Sequence, residues 1–322
     1  MSVLNVDSVK LGKIWRSMSL TKIERTNEAG IQSRPAGRMS ISATGLVTYS
    51  ICPRKFKWQR EDNWEYDGPK KANAMCLGSM VHYLLEMGIP YMFPDEGGGP
   101  ATASHNCSKE LDSWIAEYTD NEMVQTAIYT DIVPYAKFMA TQTFNWFDQE
   151  KFFDRYDIVS MEKDYVWEIA PQWELRCRPD LIVRDRVTGT LGIIDFKTGT
   201  SVDQAPMNSD WQMRTMAVVI ENLLGESVGF GGHLRIKKIK TTKGKPPYVQ
   251  LNEMRFDKER VELAENEIMQ MLIRMGHDVI HLPNPTWTCA SMCSFYDACE
   301  AKSANQDWEY VIAIDHKKGI DE

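Results

Sequence analysis

Hydrophobic spacing changes character along this chain, from a helical period to a strand period and back. From Ser42 the stretch ATGLVTYSICPRKFKWQRE predicts a helix running into a Cys-Pro turn, and Ala72 to Met87 (ANAMCLGSMVHYLLEM) predicts a second, amphipathic one. A DEGGGP loop at 95–100 interrupts the pattern, and Lys109 to Glu150 reads as an aromatic-rich, mostly helical subdomain laid against the core. The period then falls to two. Strand candidates at Ile158–Ile169, Trp173–Arg184 and Thr190–Lys197, separated by turn signals such as RDRVTGT, read as a meander. Asp210 to Leu224 is helical in spacing, and Gly231–Lys240 with Pro247–Phe256 reads as a hairpin around a basic loop. Val261, Ala264, Ile268, Met271, Leu272 and Met275 share one helical stripe, as core-facing residues do.

This pattern divides the chain into a polar N-terminal extension at 1–41, one domain at 42–300 with a helical subdomain at about 89–155, and a C-terminal tail at 301–322. With 322 residues and 43% hydrophobic content, a sizeable core is expected. No apolar run approaches the roughly 20 residues that span a bilayer, and the first residues lack the apolar segment of a secretion signal, so the expectation is a cytoplasmic protein with no membrane partner. A net charge of -8 argues against a protein that coats nucleic acid without specificity. Local cations would then do the steering. Arg235 to Lys245 holds six cations in eleven positions, and RKFKWQR at 54–60 interleaves basic and aromatic side chains. Arg54, Lys55, Lys57, Lys237, Lys238 and Lys240 are the candidates for contact with a phosphate backbone, the bland alternative being a solvated loop tip and an ordinary helix surface.

RPDLIV at 178–183 and GIIDFKTG at 192–199 are apolar runs that each carry a carboxylate where burial makes a lone charge costly. Two residues apart on a strand, Asp195 and Lys197 point to one face while Ile194 and Phe196 point to the other. With Asp180 on a neighbouring strand, two carboxylates converge and repel unless a divalent cation lies between them, and hard oxygen ligands suit Mg²⁺ or Mn²⁺. The competing reading is a structural Asp195–Lys197 salt bridge.

RPDLIV followed by IIDFKTG resembles the PD-(D/E)xK nuclease motif as it occurs in RecB-type exonucleases. The resemblance continues upstream in LGSMVHYLLE, where the family's helix carries a metal-binding histidine, here His82, and downstream in DWQMRTMAVV. There the family's QxxxY helix is matched by Gln212, but Met216 stands at the tyrosine position. The resemblance implies an α/β core, a mixed β-sheet flanked by helices, with a helical insertion. It implies that His82, Asp180, Asp195 and the Phe196 carbonyl bind Mg²⁺ or Mn²⁺, that Lys197 and Gln212 act beside them, and that Glu162 has a lesser role near the metal. The activity it implies is exonucleolytic hydrolysis of DNA ends, single strands favoured and 5′→3′ polarity the commoner, in recombination, repair or replication. No GxxxxGK[ST] motif occurs, so the chain does not unwind its own substrate and either uses preformed single strands or acts beside a helicase or recombinase.

Of seven cysteines, Cys289, Cys293 and Cys299 crowd into TCASMCSFYDAC while Cys52 lies far upstream in ICPRKF. Spacing leaves Zn²⁺ and a [4Fe-4S] cluster both open. The resemblance favours the cluster, because iron-sulfur nucleases of the AddAB type and CRISPR-associated RecB-like exonucleases place one cysteine before the core and three after it. Their usual C-x2-C-x5-C is here C-x3-C-x5-C. The cluster would staple the two ends of the domain. A noncatalytic iron-sulfur DNA-binding adaptor and a zinc-ribbon RNA-processing protein are the alternatives of other classes.

Overall fold

The computed structural model describes residues 39–68, 70–93, 98–202, 210–238, 247–278 and 280–319. Strand β1 (Met39–Ser42) leads into helix α1 (Ala43–Ile51), whose N-cap Ser42 accepts from Gly45 N–H. After a short helical stretch at 53–61 come β2 (Trp64–Tyr66) and α2 (Ala74–Gly88). The insertion that follows is helical throughout its described residues and ends in α3 (Val133–Gln149). Then come β3 (Tyr156–Met161), β4 (Tyr165–Ala170), β5 (Trp173–Cys177), β6 (Leu181–Asp185), β7 (Leu191–Gly199), α4 (Trp211–Leu224), β8 (Val228–Lys237), β9 (Val249–Arg255) and α5 (Lys258–His277). Helices α6 (Tyr296–Ser303) and α7 (Trp308–Asp315) and strand β10 (His316–Lys318) close the chain.

A five-stranded mixed sheet in the order β3-β6-β7-β8-β9 forms the centre. All its neighbours are antiparallel except β7 and β8, which run parallel and are joined by α4, as a parallel pair requires. One face of the sheet, with Leu181, Val183, Ile194, Phe196 and Leu234, packs on α2, α3 and the rest of the insertion. The other face, with Ile182, Leu191 and Ile193, packs on α1, α4 and α5 and on a separate sheet of order β1-β5-β4. The stripe on α5 buries Val261, Ala264, Ile268, Leu272 and Met275, as its spacing predicts.

The meander expectation needs correction, since two of its three strands break in the middle. Ile158–Ile169 divides into β3 and β4, and Trp173–Arg184 into β5 and β6, with the two halves of each candidate in different sheets. The first break falls at Glu162, whose φ of 48° is left-handed. The second follows Cys177, where Pro179 has no N–H to give a ladder. The breaks are held together: Glu162 N–H donates to Asp180 O at 3.1 Å, and Arg178 Nε donates to Glu162 O at 3.0 Å. The turn between β6 and β7 is set by buried Asp185, which accepts from Val187 and Thr188 N–H and from Arg155, and by left-handed Gly189.

The segment expected as a tail is also corrected. Beyond residue 300, α7 brings Trp308, Val311 and Ile312 onto Trp58, Phe295 and Ala298 in a third, smaller core. Strand β10 pairs antiparallel with β2. Of the extension expected at 1–41, residues 39–41 form part of β1, while residues 1–38, the loop tip at 239–246 and with it Lys240 lie outside the described residues. No helix among the described residues is long and apolar enough to cross a membrane.

Candidate metal centre

Register places the first two carboxylates. Leu181 pairs with Ile194, which sets Asp180 beside Asp195 at the end of the β6–β7 ladder. Both are buried, Asp180 to 6% exposure and Asp195 to 4%. Asp180 Oδ2 accepts from Phe196 N–H, and Asp180 Oδ1 lies 3.2 Å from His82 Nδ1. His82 reaches this point because α2 packs close to the end of β7. A Cβ on Gly78, one turn earlier, would come within 3.2 Å of Thr198 Oγ1, so Gly78 permits the approach. The His82 ring meets Phe196 edge-on, with centroids 5.8 Å apart.

Glu162 completes the group. Its carboxylate lies 4.0 Å from His82 Nδ1 and is held by Arg178 at 3.0 Å. His82, Glu162 and Asp180 each bring one ligand atom into a set that lies within 4.8 Å, a set matched by no other three such residues among those described. The residue given the lesser role by sequence is therefore in the tightest triad, because the two strand breaks carry Glu162 and Asp180 together.

Asp195 and Lys197 point to one face of β7, as their spacing predicts, and meet Gln212 there. Lys197 Nζ lies 2.6 Å from Asp195 Oδ2 and donates to Gln212 Oε1 at 2.8 Å, while Gln212 Nε2 donates to Asp195 Oδ1 at 3.0 Å. The structure thus joins Asp195, Lys197 and Gln212 in a closed triangle beside the His82–Glu162–Asp180 group, close enough that Asp195 feels the charges of Asp180 and His82. Met216, at the family's tyrosine position, is buried in the core.

Burial, and then the Asp180 charge beside it, push the Glu162 carboxyl up to about 8 against the pull of Arg178. Burial pushes Asp195 up to about 6 despite the Lys197 ammonium. Burial draws His82 down, but its hydrogen bond to Asp180 and the surrounding carboxylates outweigh this and raise its pKa. In all three the folded chain holds protons more tightly than the unfolded chain, so the metal-free protein loses stability as pH rises from about 5 to about 8. Thermal unfolding in a chelator should follow that trend, and Mn²⁺ should reverse it at pH 8, where it replaces the lost protons. Glu162→Gln should flatten the profile. A melting temperature that climbs with pH in the chelator would contradict this account.

The donor set fits a hard divalent cation. It offers carboxylate oxygens and one imidazole nitrogen, and Asp195 Oδ2 is buried with no aligned hydrogen bond among the described residues. The sequence matches the PD-(D/E)XK nuclease superfamily over residues 40–300. The chain belongs to that superfamily. Its α/β architecture, sheets flanked by helices, accords with the PD-(D/E)XK core. Among solved structures, an exonuclease assignment from Eubacterium rectale is similar over 83% of this chain and 93% of its own, at 11% identity and a TM-score of 0.46. The alkaline exonuclease of Laribacter hongkongensis is similar over 72% and 99%, at 9% identity and a TM-score of 0.31. No curated protein matches the chain.

The two cysteine-bearing segments lie against each other, but among the described residues no three of their sulfurs come within ligand distance of one another. Arg54 N–H donates to Leu282 O at 3.4 Å, and Asn284 Nδ2 donates to Ile51 O at 2.8 Å, so the Cys52 segment lies against the C-terminal one. Cys52 Sγ accepts from Lys55 N–H at 3.5 Å, Cys289 Sγ from Thr286 N–H at 3.2 Å, and Cys299 Sγ from Arg54 Nη1 at 3.4 Å. Tyr49–Asp278 and Glu61–His281 contacts, each 3.1 Å, reinforce the joint. Several of the predicted phosphate contacts are committed to the fold. Arg54 serves Cys299 and Ser303, Lys57 pairs with Glu61 and Asp62, and Lys238 Nζ donates to Ala74 O at the start of α2. Lys55 stands near Cys289 and Cys293, where its charge is felt, and Lys237 ends β8.

Sequence reasoning passed over His233 and Asp210. His233 pairs with Asp195 across the parallel β7–β8 ladder, and burial holds its pKa below the ordinary value. The signal was a lone histidine in an apolar strand, which means nothing until the register is known.

Proposed function

We propose that this chain is a divalent-metal-dependent exonuclease that hydrolyses phosphodiester bonds at DNA ends, with single strands favoured and 5′→3′ polarity, in recombination, repair or replication. The observation that carries the reading is the Asp195–Lys197–Gln212 triangle set beside the His82–Glu162–Asp180 group. His82, Glu162, Asp180, Asp195 and the Phe196 carbonyl would hold Mg²⁺ or Mn²⁺. Bound there, the ion supplies a water of lowered pKa and neutralises charge on the scissile phosphate. Lys197, aimed by Gln212, holds the attacking water and offsets negative charge as it develops. Asp195 keeps that ammonium in place.

In the alternative, a noncatalytic adaptor, the Asp195–Lys197–Gln212 contacts are structural only, and cleavage separates the two readings. A [4Fe-4S] cluster on Cys52, Cys289, Cys293 and Cys299 is part of this reading, supported by the contact between their two segments and by backbone and guanidinium donors at three sulfurs, the type of bond that tunes such clusters. A helicase or recombinase acting beside this chain would supply single strands. The test is incubation of purified protein with 5′- and 3′-labelled single- and double-stranded DNA in Mn²⁺ or Mg²⁺. Stepwise shortening from the 5′ end of single strands is expected. Metal-dependent binding without any cleavage would favour the adaptor.

A further inference from the structure

Helix α4 begins at Asp210, whose Oδ1 caps it by accepting from Met213 N–H at 3.1 Å. The other oxygen, Oδ2, faces His233 Nε2 at 3.3 Å. The same Nε2 lies 3.8 Å from Asp195 Oδ2. His233 is 5% exposed, and its Nε2, which makes no aligned hydrogen bond among the described residues, sits in the fork between two carboxylates. Gln212, two residues after Asp210, is the group that bridges Lys197 and Asp195.

We propose that His233 is a positioning residue that clasps Asp210, fixes the start of α4 on the sheet, and so sets the reach of Gln212 to Lys197 and Asp195. This rests on the nuclease reading above. The geometry is that of a three-point frame. β7 presents Asp195 and Lys197, β8 presents His233 at the same register, and the start of α4 presents Asp210 as its cap and Gln212 in its first turn. Asn252, His233's partner on β9, donates to Val202 O at 3.2 Å and ties the chain leaving β7 to the same row. Without the His233 clasp, the first turn of α4 would keep its cap but lose a tie to β8. A displacement of about 1 Å in such a frame costs on the order of 100-fold in rate. The loss should appear in turnover, since nothing in this account places His233 on the metal or the DNA.

The test measures kcat, KM for single-stranded DNA and Mn²⁺ affinity by calorimetry for wild type, His233→Ala, His233→Gln, Asp210→Ser, Gln212→Ala and the His233→Ala/Gln212→Ala double variant. His233→Ala should lower kcat about 10- to 100-fold, with KM and Mn²⁺ affinity within about twofold of wild type. His233→Gln, which restores a donor near Nε2, should recover most of the rate. Asp210→Ser keeps a helix cap but removes the oxygen facing His233, so it should repeat the loss even where His233→Ala fails to fold. In the Gln212→Ala background His233→Ala should add less than about twofold, because the two act through one contact. Multiplying losses, or an unchanged kcat in folded His233→Ala and Asp210→Ser, would overturn the positioning role while leaving the nuclease reading intact. A wild type that cleaves no DNA would remove both.

Discussion

Asp195→Asn is expected to lower metal-dependent cleavage of end-labelled DNA by about 1,000-fold or more, the order of rate carried by several kcal/mol of charge stabilisation at a metal. Lys197→Ala should cost about 100- to 1,000-fold, the range seen when one preorganised donor to developing charge is removed. The two variants separate chemistry from folding because their stability effects have opposite signs. Asp195 is a buried carboxyl pushed up to about 6 by burial, so at pH 8 its ionisation opposes folding of the metal-free chain. Asp195→Asn should therefore unfold in a chelator at or above the wild-type temperature. Lys197→Ala leaves that carboxylate without its ammonium and should unfold below it. If both variants cleave DNA at the wild-type rate, the site is not where the chemistry occurs. A loss of activity that merely tracked melting temperature would be ruled out by the Asn variant.

The parts of this site that were legible in sequence are those that depend on one strand's own period. Asp195 and Lys197 share a face whatever lies beside them, and α4 follows β7 closely enough that Gln212 can be placed by spacing. Glu162 was harder to rank because its position depends on two chain breaks, one at a left-handed backbone and one before a proline, that locally resemble continuations of a strand. His233 could not be seen at all, since its meeting with Asp195 is a matter of register between parallel strands. The same limit explains the end of the chain. Trp308, Val311 and Ile312 form too short a stripe to stand out, and they find their core only through Trp58, some 250 positions earlier. The basic residues illustrate the converse. Interleaved charge at 54–60 looked like a surface for phosphate, yet Arg54 and Lys57 have partners within the fold.

Cys→Ala at position 52, 289, 293 or 299 is expected to abolish the brown colour and visible absorption of the purified protein and to lower its stability, with bond cleavage affected only through folding or DNA engagement. The size of the effect follows from loop closure. Cys52 and Cys289 are 237 positions apart, and tying a loop of that length removes roughly 5 kcal/mol of unfolded-state entropy. That is comparable with the net stability of many domains. Two features keep the variants from unfolding outright. The joint is also made by Asn284 to Ile51, Arg54 to Leu282, Asp278 to Tyr49 and His281 to Glu61, none of which involves sulfur. The third core, with Trp58 stacked on Trp308 at 5.2 Å and Cys293 and Cys299 packed against it, adds apolar contacts that hold the last helices. The expected result is thus a folded but less stable chain, with iron content falling from four per protein to near zero and the melting temperature falling with it. Zinc at one per chain with no visible absorption would assign the four thiols to a tetrahedral ion instead. Colourless, metal-free wild type of unchanged stability would show that the polar joint and the small core suffice to close the domain.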